Sequence, residues 1–359
     1  MNKPENIHEV LPGIFMFRER GGLSAIKPEV NIYILAGHDG LIFDAGYGSR
    51  GAVAGLARHV RLVGEYYKSQ NRRFALTRVL PSHAHPDHFS GLRRIRDALG
   101  CRVLLTRNIA ERIGSRESFY RHFEADAFED YLVKRKPLGR VLDRLRLSAF
   151  RAVNEKIYGM EFLDDPDEII PDESAVSING EPWLVFPSPG HSSDHISLYS
   201  EKKGVLFAGD NVLRSITTWL GPPDSSLEDY LRSLERIRRL PELNTILSAH
   251  GSPVVNPRER VAEILEYRKK RTLEVLDETR KRGGRGITVD RLVRMFYPRE
   301  NIFKREMARG WIVLTLKHLE SRGYCTRGVN GTTVFFTAGE DAPRAEDLFS
   351  EIGRSDGRP

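Results

Sequence analysis

The chain of 359 residues contains only two cysteines, Cys101 and Cys325, which lie far apart in the sequence. This scarcity excludes a disulfide framework and a cysteine-rich zinc site. The chain also lacks any apolar run long enough to span a bilayer, and its start, MNKPENIHEVLPG, has no apolar run after a basic segment. We therefore expect neither a signal peptide nor a membrane span, and we expect a cytoplasmic protein.

Excess basic charge is absent from most of the chain. The formal net charge is +7, and residues 257–330 hold 19 Lys and Arg against 10 Asp and Glu, a net charge of +9 that leaves 7 − 9 = −2 for the rest. This asymmetry favours a phosphate-bearing partner or substrate near the C-terminal part, either a nucleic-acid backbone or a phosphorylated cofactor tail. A solvated helical surface explains the same charge equally well.

The hydrophobic content of 40% is enough for a large core. In the N-terminal part, strand-like segments such as VNIYILAG and CRVLLT alternate with helix-like segments such as GAVAGLARHVRLVGEYYKSQ. This alternation predicts stacked α/β layers. From about residue 108 to residue 165 the pattern changes to long helical periodicity, which predicts a helical insertion into residues 1–256.

A separate pattern marks residues 257–338. Pro257 follows an asparagine, a common N-cap residue, and a glutamate lies two residues after it, so the sequence predicts that a helix begins at Pro257. Gly283 predicts the end of this helix. Two more helix-like segments follow, and then a hairpin around an Asn-Gly pair. Three helices and a hairpin in this order predict a winged-helix domain. The remaining residues, 339–359, are expected to form a flexible tail.

The segment LPSHAHPDHFSG places four potential metal ligands within six positions, namely His83, His85, Asp87 and His88. Side chains at this spacing diverge on an ideal strand or helix, so a turn must bring them to a metal. Two neighbouring metal ions are the simplest solution. His83 and His85 then face one ion, while Asp87 and His88 face the other.

Three more candidate ligands occur at the ends of predicted strands: His191 in SPGH, Asp210 in FAGD and His250 in SAHG. Loops at strand ends are where rigid scaffolds present functional groups. A lone histidine is more often a structural residue with satisfied hydrogen bonds. Seven candidates in this joint arrangement favour a metal site with two ions.

The motif HAHPDH, preceded by FDAG and followed in order by GH, GD and AHG, resembles the metallo-β-lactamase superfamily over about residues 8 to 256. The resemblance implies an α/β fold, an αββα sandwich with the metal site at one edge of its two sheets. It also implies how the ligands are shared between two ions. The implied ligands are His83, His85 and His191 for the first ion, Asp87, His88 and His250 for the second, and Asp210 for both.

Asp210 also narrows the implied activity. The commonest β-lactamases resemble this pattern but carry a cysteine at that position and are exported, so a secreted β-lactamase is disfavoured. Hydroxyacylglutathione hydrolases and metal-dependent nucleases carry the aspartate instead. The implied cofactors are two divalent metal ions, for which zinc is the first choice, and the oxygen donors leave manganese or iron open.

The implied ligands suit hydrolysis without a serine or cysteine nucleophile. A hydroxide that bridges two metal ions is a nucleophile near neutral pH. The candidate catalytic residues are Asp87, which can orient the hydroxide, Asp210, which bridges the ions, and His195. His195, Asp44 and Asp194 match positions at which a hydrogen bond orients a ligand, and a structural role for His195 also stays open.

Two functions remain after these steps. The first is hydrolysis of a small ester or thioester, in which Arg268, Lys269, Lys270 and Arg271 attract the phosphates of a carrier such as coenzyme A. The second is a single-strand endoribonuclease that binds nucleic acid through the basic C-terminal domain, as in the lactamase-like endoribonucleases that this arrangement resembles. We favour the thioesterase, because the insertion narrows access for a polymer. A homo-oligomer is compatible with either function.

The insertion carries an aromatic stripe. Packing against the body of the protein explains such a stripe most simply. Because the segment lies between the HAHPDH and GH loops, a lid over the metals is the alternative. The residues of the stripe are Phe119, Tyr120, Phe123, Phe128, Tyr131 and Phe150.

Overall fold

The computed structural model describes residues 7–21, 27–124, 148, 151–153, 155–339 and 345–350. Within these residues two β-sheets form the centre of the molecule, and a separate two-stranded hairpin lies near the C-terminal end. Helices cover the outer faces of the two sheets. This is the αββα arrangement expected from the sequence motifs.

The first sheet has seven strands in the spatial order β1 to β7. Neighbouring strands are antiparallel from β1 to β4 and parallel from β4 to β7. Its strands are β1 (His8–Leu11), β2 (Ile14–Glu19), β3 (Val30–Leu35), β4 (Gly40–Phe43), β5 (Leu76–Leu80), β6 (Arg102–Thr106) and β7 (Glu168–Ile170).

The second sheet has five strands in the order β12, β11, β10, β9, β8. β11 and β12 are parallel, and the other neighbours are antiparallel. The central strand β10 and its neighbour β11 are buried along their whole length, as expected for strands covered on both faces. The strands are β8 (Ser174–Ile178), β9 (Glu181–Pro187), β10 (Ile196–Ser200), β11 (Val205–Gly209) and β12 (Thr245–Ser248).

Aromatic side chains join the two sheets into one core. The ring of Phe207, from the second sheet, lies with its centroid 5.2 Å from those of Tyr33 and Phe43, both from the first sheet. Aromatic pairs at this separation contribute beyond the area that they bury. The sheets therefore hold each other in a fixed position, and the loops at one edge have a rigid base.

Helices α1 to α6 accompany the two sheets, and further helical residues are described at 148, 151–153 and 155–158. Leu56 and Val63 of α1 pack into the core of the first sheet, and Leu231 and Leu234 of α6 pack into that of the second. α6 is not among the helices predicted from the sequence. The helices are α1 (Arg50–Ser69), α2 (Pro86–Phe89), α3 (Leu92–Leu99), α4 (Arg107–Ile113), α5 (Arg116–Glu124) and α6 (Leu227–Arg238).

The segment predicted as an insertion begins with α4 and α5. Ile109 and Ile113 are fully buried in the main core, and the ring of Phe119 packs at 5.4 Å from that of Phe89. The start of this segment is therefore part of the packing of the sandwich. Three aromatic residues of the predicted stripe lie outside the described residues, so a lid stays a prediction; they are Phe128, Tyr131 and Phe150.

The C-terminal part has the elements that the sequence predicted, in the same order. α7 begins at Pro257 and ends at Arg282, and Gly283 follows it. The other elements are α8 (Val289–Phe296), α9 (Ile302–Ser321), β13 (Cys325–Asn330) and β14 (Thr333–Ala338). They share a core of their own, which also buries Leu348 from the segment predicted as a flexible tail.

The four basic residues in the middle of α7 do not form one surface. Arg268 is only 5% exposed, Lys269 is half-buried and Lys270 is exposed. Arg271 forms an ion pair of 2.5 Å with Glu274. The expectation that these four side chains act together on a phosphate-bearing partner is not supported, because the turn of the helix directs them to different surroundings.

Cys101 and Cys325 are both buried and take no part in a disulfide. Burial raises the pKa of the Cys101 thiol to about 11 and contributes most to the raised pKa of Cys325, about 12. Thiols with such pKa values are unreactive near neutral pH. Within the described part of the chain, no helix has the length and apolar character that crossing a membrane requires.

Candidate metal centre

The predicted ligands follow the ends of strands in both sheets. The HAHPDH segment comes after β5, where His83 and His85 lie in a loop and Asp87 and His88 lie in the short helix α2. Proline at the first position of this helix favours its start there. The backbone thus changes from loop to helix within the motif, which is the turn that the spacing of the ligands required.

Three ligands come from the second sheet. His191 lies in the loop after β9, Asp210 follows the last residue of β11, and His250 lies two residues after the end of β12. β11 and β12 are parallel neighbours, so their carboxyl ends meet at the same edge of the sheet. This edge brings Asp210 and His250 together.

The side chains form three groups in which one ligand atom of each residue lies within 4.8 Å of the others. Two of these groups correspond to the ion sites that the sequence motifs imply, and the third connects them. The groups are His83, His85 and His191; Asp87, His88 and His250; and His83, His88 and Asp210.

Asp210 lies between the two ion sites. Its Oδ2 atom is 3.4 Å from Nε2 of His191, while its Oδ1 atom is 3.3 Å from Nε2 of His250 and 3.6 Å from Nε2 of His88. Each carboxylate oxygen therefore faces ring nitrogens of a different site. In this position Asp210 could contribute one oxygen to each of two ion sites.

Several ligand atoms are buried without a hydrogen-bond partner. Among the described residues these include Nε2 of His83, Nε2 of His88 and Oδ1 of Asp210. Buried polar atoms nearly always have a partner, and a metal ion satisfies such atoms. Imidazole and carboxylate donors at this spacing therefore fit a divalent metal ion.

The two candidate sites differ in their electrostatics. Burial and the neighbouring imidazoles lower the pKa of His191 to about 4 and hold the pKa of His83 well below its ordinary range. These rings are therefore neutral, as metal ligands must be. At the other site burial opposes the charged form of His250, but Asp210 and Asp87 outweigh it and raise its pKa to about 10. A positive charge is therefore stabilised beside Asp210 and Asp87, as a bound cation would be.

Asp44 orients one of the ligands. Its Oδ2 atom is 3.2 Å from Nδ1 of His88, and its Oδ1 atom accepts a hydrogen bond of 2.7 Å from the backbone N–H of Ser82. Asp44 has a φ of 66°, a conformation that costs energy for a residue other than glycine. The contact with Nδ1 leaves Nε2 of His88 directed at the cluster.

His195 belongs to none of the three ligand groups. Its Nε2 atom accepts a hydrogen bond of 3.2 Å from the backbone N–H of Asp210, and its Nδ1 atom lies 2.9 Å from Oγ of Ser188. The ring is fully buried. In this position His195 holds the backbone of Asp210 in place, while the catalytic role expected from the sequence stays a prediction.

Asp194 supports the loop that carries His83 and His85. Its Oδ2 atom accepts a hydrogen bond of 2.8 Å from the backbone N–H of Ala84, between the two ligands. Its Oδ1 atom accepts one of 2.9 Å from the guanidinium of Arg112. Asp194 therefore acts on the ligands through the backbone.

Arg112 and Asp224 complete this support, and neither residue is predicted from the sequence. Arg112, from α4, is 2% exposed and makes a bidentate contact with Asp224, with distances of 2.6 and 2.7 Å. The Oδ2 atom of Asp224 also lies 3.7 Å from Nε2 of His85. Although burial raises the pKa of Asp224, its contacts with His85 and Arg112 hold that pKa well below its usual range. Arg112 also donates hydrogen bonds of 2.9 and 2.7 Å to the hydroxyls of Ser192 and Ser193, which follow His191. One buried cation thus supports both loops of the first candidate site.

Gly190 in the SPGH motif allows a close approach of two backbones. Its φ is +142°, and a Cβ atom at this position would lie 2.3 Å from Cα of Tyr230 in α6. Real Cβ atoms do not come this close to backbone atoms. The glycine therefore lets α6 pack directly under the loop that presents His191.

Similar proteins share both this sequence region and this fold. Residues 27–250 match the sequence profile of the Metallo-beta-lactamase superfamily. The Beta-lactamase-like protein 2 homolog of Caenorhabditis elegans is 30% identical over 139 residues, 38% of this chain and 43% of the relative. The Atrochrysone carboxyl ACP thioesterase of Aspergillus fumigatus is 28% identical over 113 residues, 32% of this chain and 34% of the relative. The chain thus spans less than half the length of either relative.

Solved structures match over a larger share of the chain. A metallo-beta-lactamase family protein from Thermus thermophilus has a TM-score of 0.67 at 24% identity, and the match covers 91% of this chain and 99% of the other. A beta-lactamase domain protein from Burkholderia ambifaria has a TM-score of 0.72 at 23% identity, and the match covers 93% of this chain and 94% of the other. At this identity the likeness concerns the fold. Together with the profile match, it shows that the chain belongs to the metallo-beta-lactamase superfamily.

Proposed function

We propose that this chain is a metal-dependent hydrolase with two ions that acts on a small ester or thioester. The observation that carries the proposal is the position of Asp210, whose two carboxylate oxygens face ring nitrogens of different ligand groups. A relative named as a thioesterase and another named Hydroxyacylglutathione hydrolase, from Chromohalobacter salexigens, support this class of substrate. The latter is 32% identical over 93 residues.

The two sites would each hold one divalent ion. Zinc suits the imidazole-rich donor set, and manganese or iron also accept the carboxylate oxygens. When bound, such ions supply a nucleophilic water of lowered pKa and polarise the carbonyl of the substrate. The ligands are His83, His85 and His191 at the first site, Asp87, His88 and His250 at the second, and Asp210 at both.

The residues around the ligands fix their orientation. Asp44 contacts Nδ1 of His88, and the backbone carbonyl of Trp219 lies 2.8 Å from Nδ1 of His191, so both rings direct Nε2 at the cluster. Asp87 lies 3.5 Å from Nε2 of His250 and faces the same space as Asp210. In this position the Asp87 carboxylate can accept a proton from a water molecule and orient it toward the substrate.

A single-strand endoribonuclease is the second candidate. The observation that favours it is the net charge of +9 in residues 257–330, together with the order of helices and hairpin that predicts a winged-helix domain. The burial of Arg268 and the pairing of Arg271 with Glu274 weigh against a continuous phosphate-binding surface on α7. We therefore place this function second.

An activity panel distinguishes the two candidates. We expect the metal-loaded protein to hydrolyse acyl thioesters and to leave a labelled single-stranded RNA intact. Chelation should lower the rate by more than about 100-fold, because loss of supporting groups around a metal alone costs about 10–100-fold. Zinc should restore the rate. RNA cleavage that requires Asp210, without thioester hydrolysis, would reverse the order of the two candidates.

A further inference from the structure

A cavity of about 480 Å³ lies beside the metal centre, between the loop of residues 216–220 and the C-terminal helices. This volume is in the range of small-molecule binding sites. The loop also contacts a metal ligand, because Nδ1 of His191 lies 2.8 Å from the carbonyl oxygen of Trp219 and 3.3 Å from Oγ1 of Thr218. Nδ1 is the ring atom that faces away from the cluster, and none of the candidate ligands lines the cavity. The loop thus separates the cavity from the metal centre and contacts both.

Aromatic side chains give the cavity an apolar lining. Trp219 comes from the loop, Tyr267 from α7, and Tyr297 and Trp311 from the segments that follow. Trp219 is 38% exposed and Tyr267 is 42% exposed. Exposed apolar surface concentrated in a concave site is typical of ligand binding. The lining suits a flat, apolar group.

One charged side chain of the lining has no counter-ion. Arg268 is 5% exposed, and its Nη2 atom donates a hydrogen bond of 2.5 Å to the carbonyl of Thr218. Its Nε atom is buried without a partner, and no described acidic side chain forms an ion pair with it. A buried cation without an anion is unfavourable. The other two charged groups of the lining, Glu300 and Lys304, pair with each other at 2.9 Å. An anionic group in the cavity would therefore be attracted to Arg268.

The C-terminal helices are packed closely against the loop. The indole N–H of Trp219 donates a hydrogen bond of 3.2 Å to the carbonyl of Met307 in α9. A Cβ atom at Gly310 would lie 3.0 Å from Cα of Gly221 and from the carbonyl oxygen of Leu220. This close approach fixes the two walls of the cavity relative to each other.

We propose that this cavity is a second ligand-binding site, separate from the metal centre, for a flat aromatic ligand with an anionic group that contacts Arg268. The proposal goes beyond the proposed ester or thioester hydrolysis and does not depend on it. It assigns this binding to the loop of residues 216–220, α7 and α9, and thus gives the C-terminal region a ligand of its own.

Calorimetric titration of the metal-loaded protein tests this without any hydrolysis, so its outcome is separate from that of the activity panel. The probes are naphthalene-2-sulfonate and its uncharged N,N-dimethyl sulfonamide. We expect the sulfonate to bind about 10-fold more tightly, since a charge-assisted contact is stronger than a neutral one. Arg268→Met should abolish this preference, and Lys270→Met, which changes an exposed neighbour, should keep it. Equal affinities of the wild type for both probes, or an unchanged preference in a folded Arg268→Met variant, would overturn the proposal.

A second pair of variants keeps the test decisive if Arg268→Met does not fold. The side chains of Met307 and Met295 are both 39% exposed, but Met307 lines the cavity whereas Met295 is not part of its lining. Met307→Ala should weaken binding of both probes by about five-fold through lost apolar contact, and Met295→Ala should leave it unchanged. Equal affinities in these two variants would contradict binding in the cavity.

Discussion

Replacing Asp210 with alanine is expected to remove at least one metal ion per chain and to lower hydrolysis by more than about 100-fold. The reason is geometric, because the two oxygens of this carboxylate face ring nitrogens of both ligand groups at 3.3–3.6 Å. No other carboxylate of the described residues belongs to the group that connects the two sites. Without it, the remaining ligands bind fewer ions.

The measurements are the metal content of the purified variant and its initial rates on a thioester. Asp164→Ala is a matched control, because the Asp164 side chain is 76% exposed and pairs only with a surface arginine, Arg93, among the described residues. This control should keep both the metal and the activity. Full metal content or full activity in the Asp210 variant would rule out a bridging role.

Replacing Arg112 with methionine is expected to lower the free energy of unfolding by about 3–5 kcal/mol, because removal of one partner leaves the other charges of a buried network unpaired. The Arg112 side chain is 2% exposed and contacts Asp194 at 2.9 Å and Asp224 at 2.6 Å. These carboxylates support the loop of His83 and the ring of His85. We therefore also expect metal affinity to fall by about 10–100-fold.

Chemical denaturation of the metal-free and metal-loaded forms measures both effects. Arg116→Met is the matched control, since the Arg116 side chain is 54% exposed and its pair with Glu155 is a surface pair, typically worth about 0–1 kcal/mol. Adding Asp224→Asn to Arg112→Met should recover part of the loss, because it removes one unpaired charge. A loss below about 1 kcal/mol for Arg112→Met would show that the network is not important for stability.

Local sequence signals predicted the elements that depend on short-range interactions. The ligand motif HAHPDH lies in one continuous segment. The proline at the start of α7 and the glycine after its end each act on the helix end beside them. The candidate ligands at strand ends could also be predicted from the sequence, because a buried strand such as β11 ends directly before Asp210. These signals require no knowledge of distant contacts.

Other features depend on contacts between distant parts of the chain. Arg112 and Asp224 are 112 residues apart and meet only in the folded protein. No local motif marks either residue, although Asp224 follows two prolines in the GPPDSS segment. The charge of residues 257–330 likewise predicted an exposed role for Arg268. Composition does not show which face of α7 packs against the loop at Thr218. Only the tertiary structure shows the contact between Arg112 and Asp224 and the burial of Arg268.

The metal content of the purified wild-type protein tests the central claim most directly. We predict about two divalent transition-metal ions per chain, because the two ligand groups share Asp210 and are each complete within the described residues. Elemental analysis of protein prepared without chelators and reloaded with zinc gives this number. A value near two agrees with the account, and a value of one or less after reloading contradicts it.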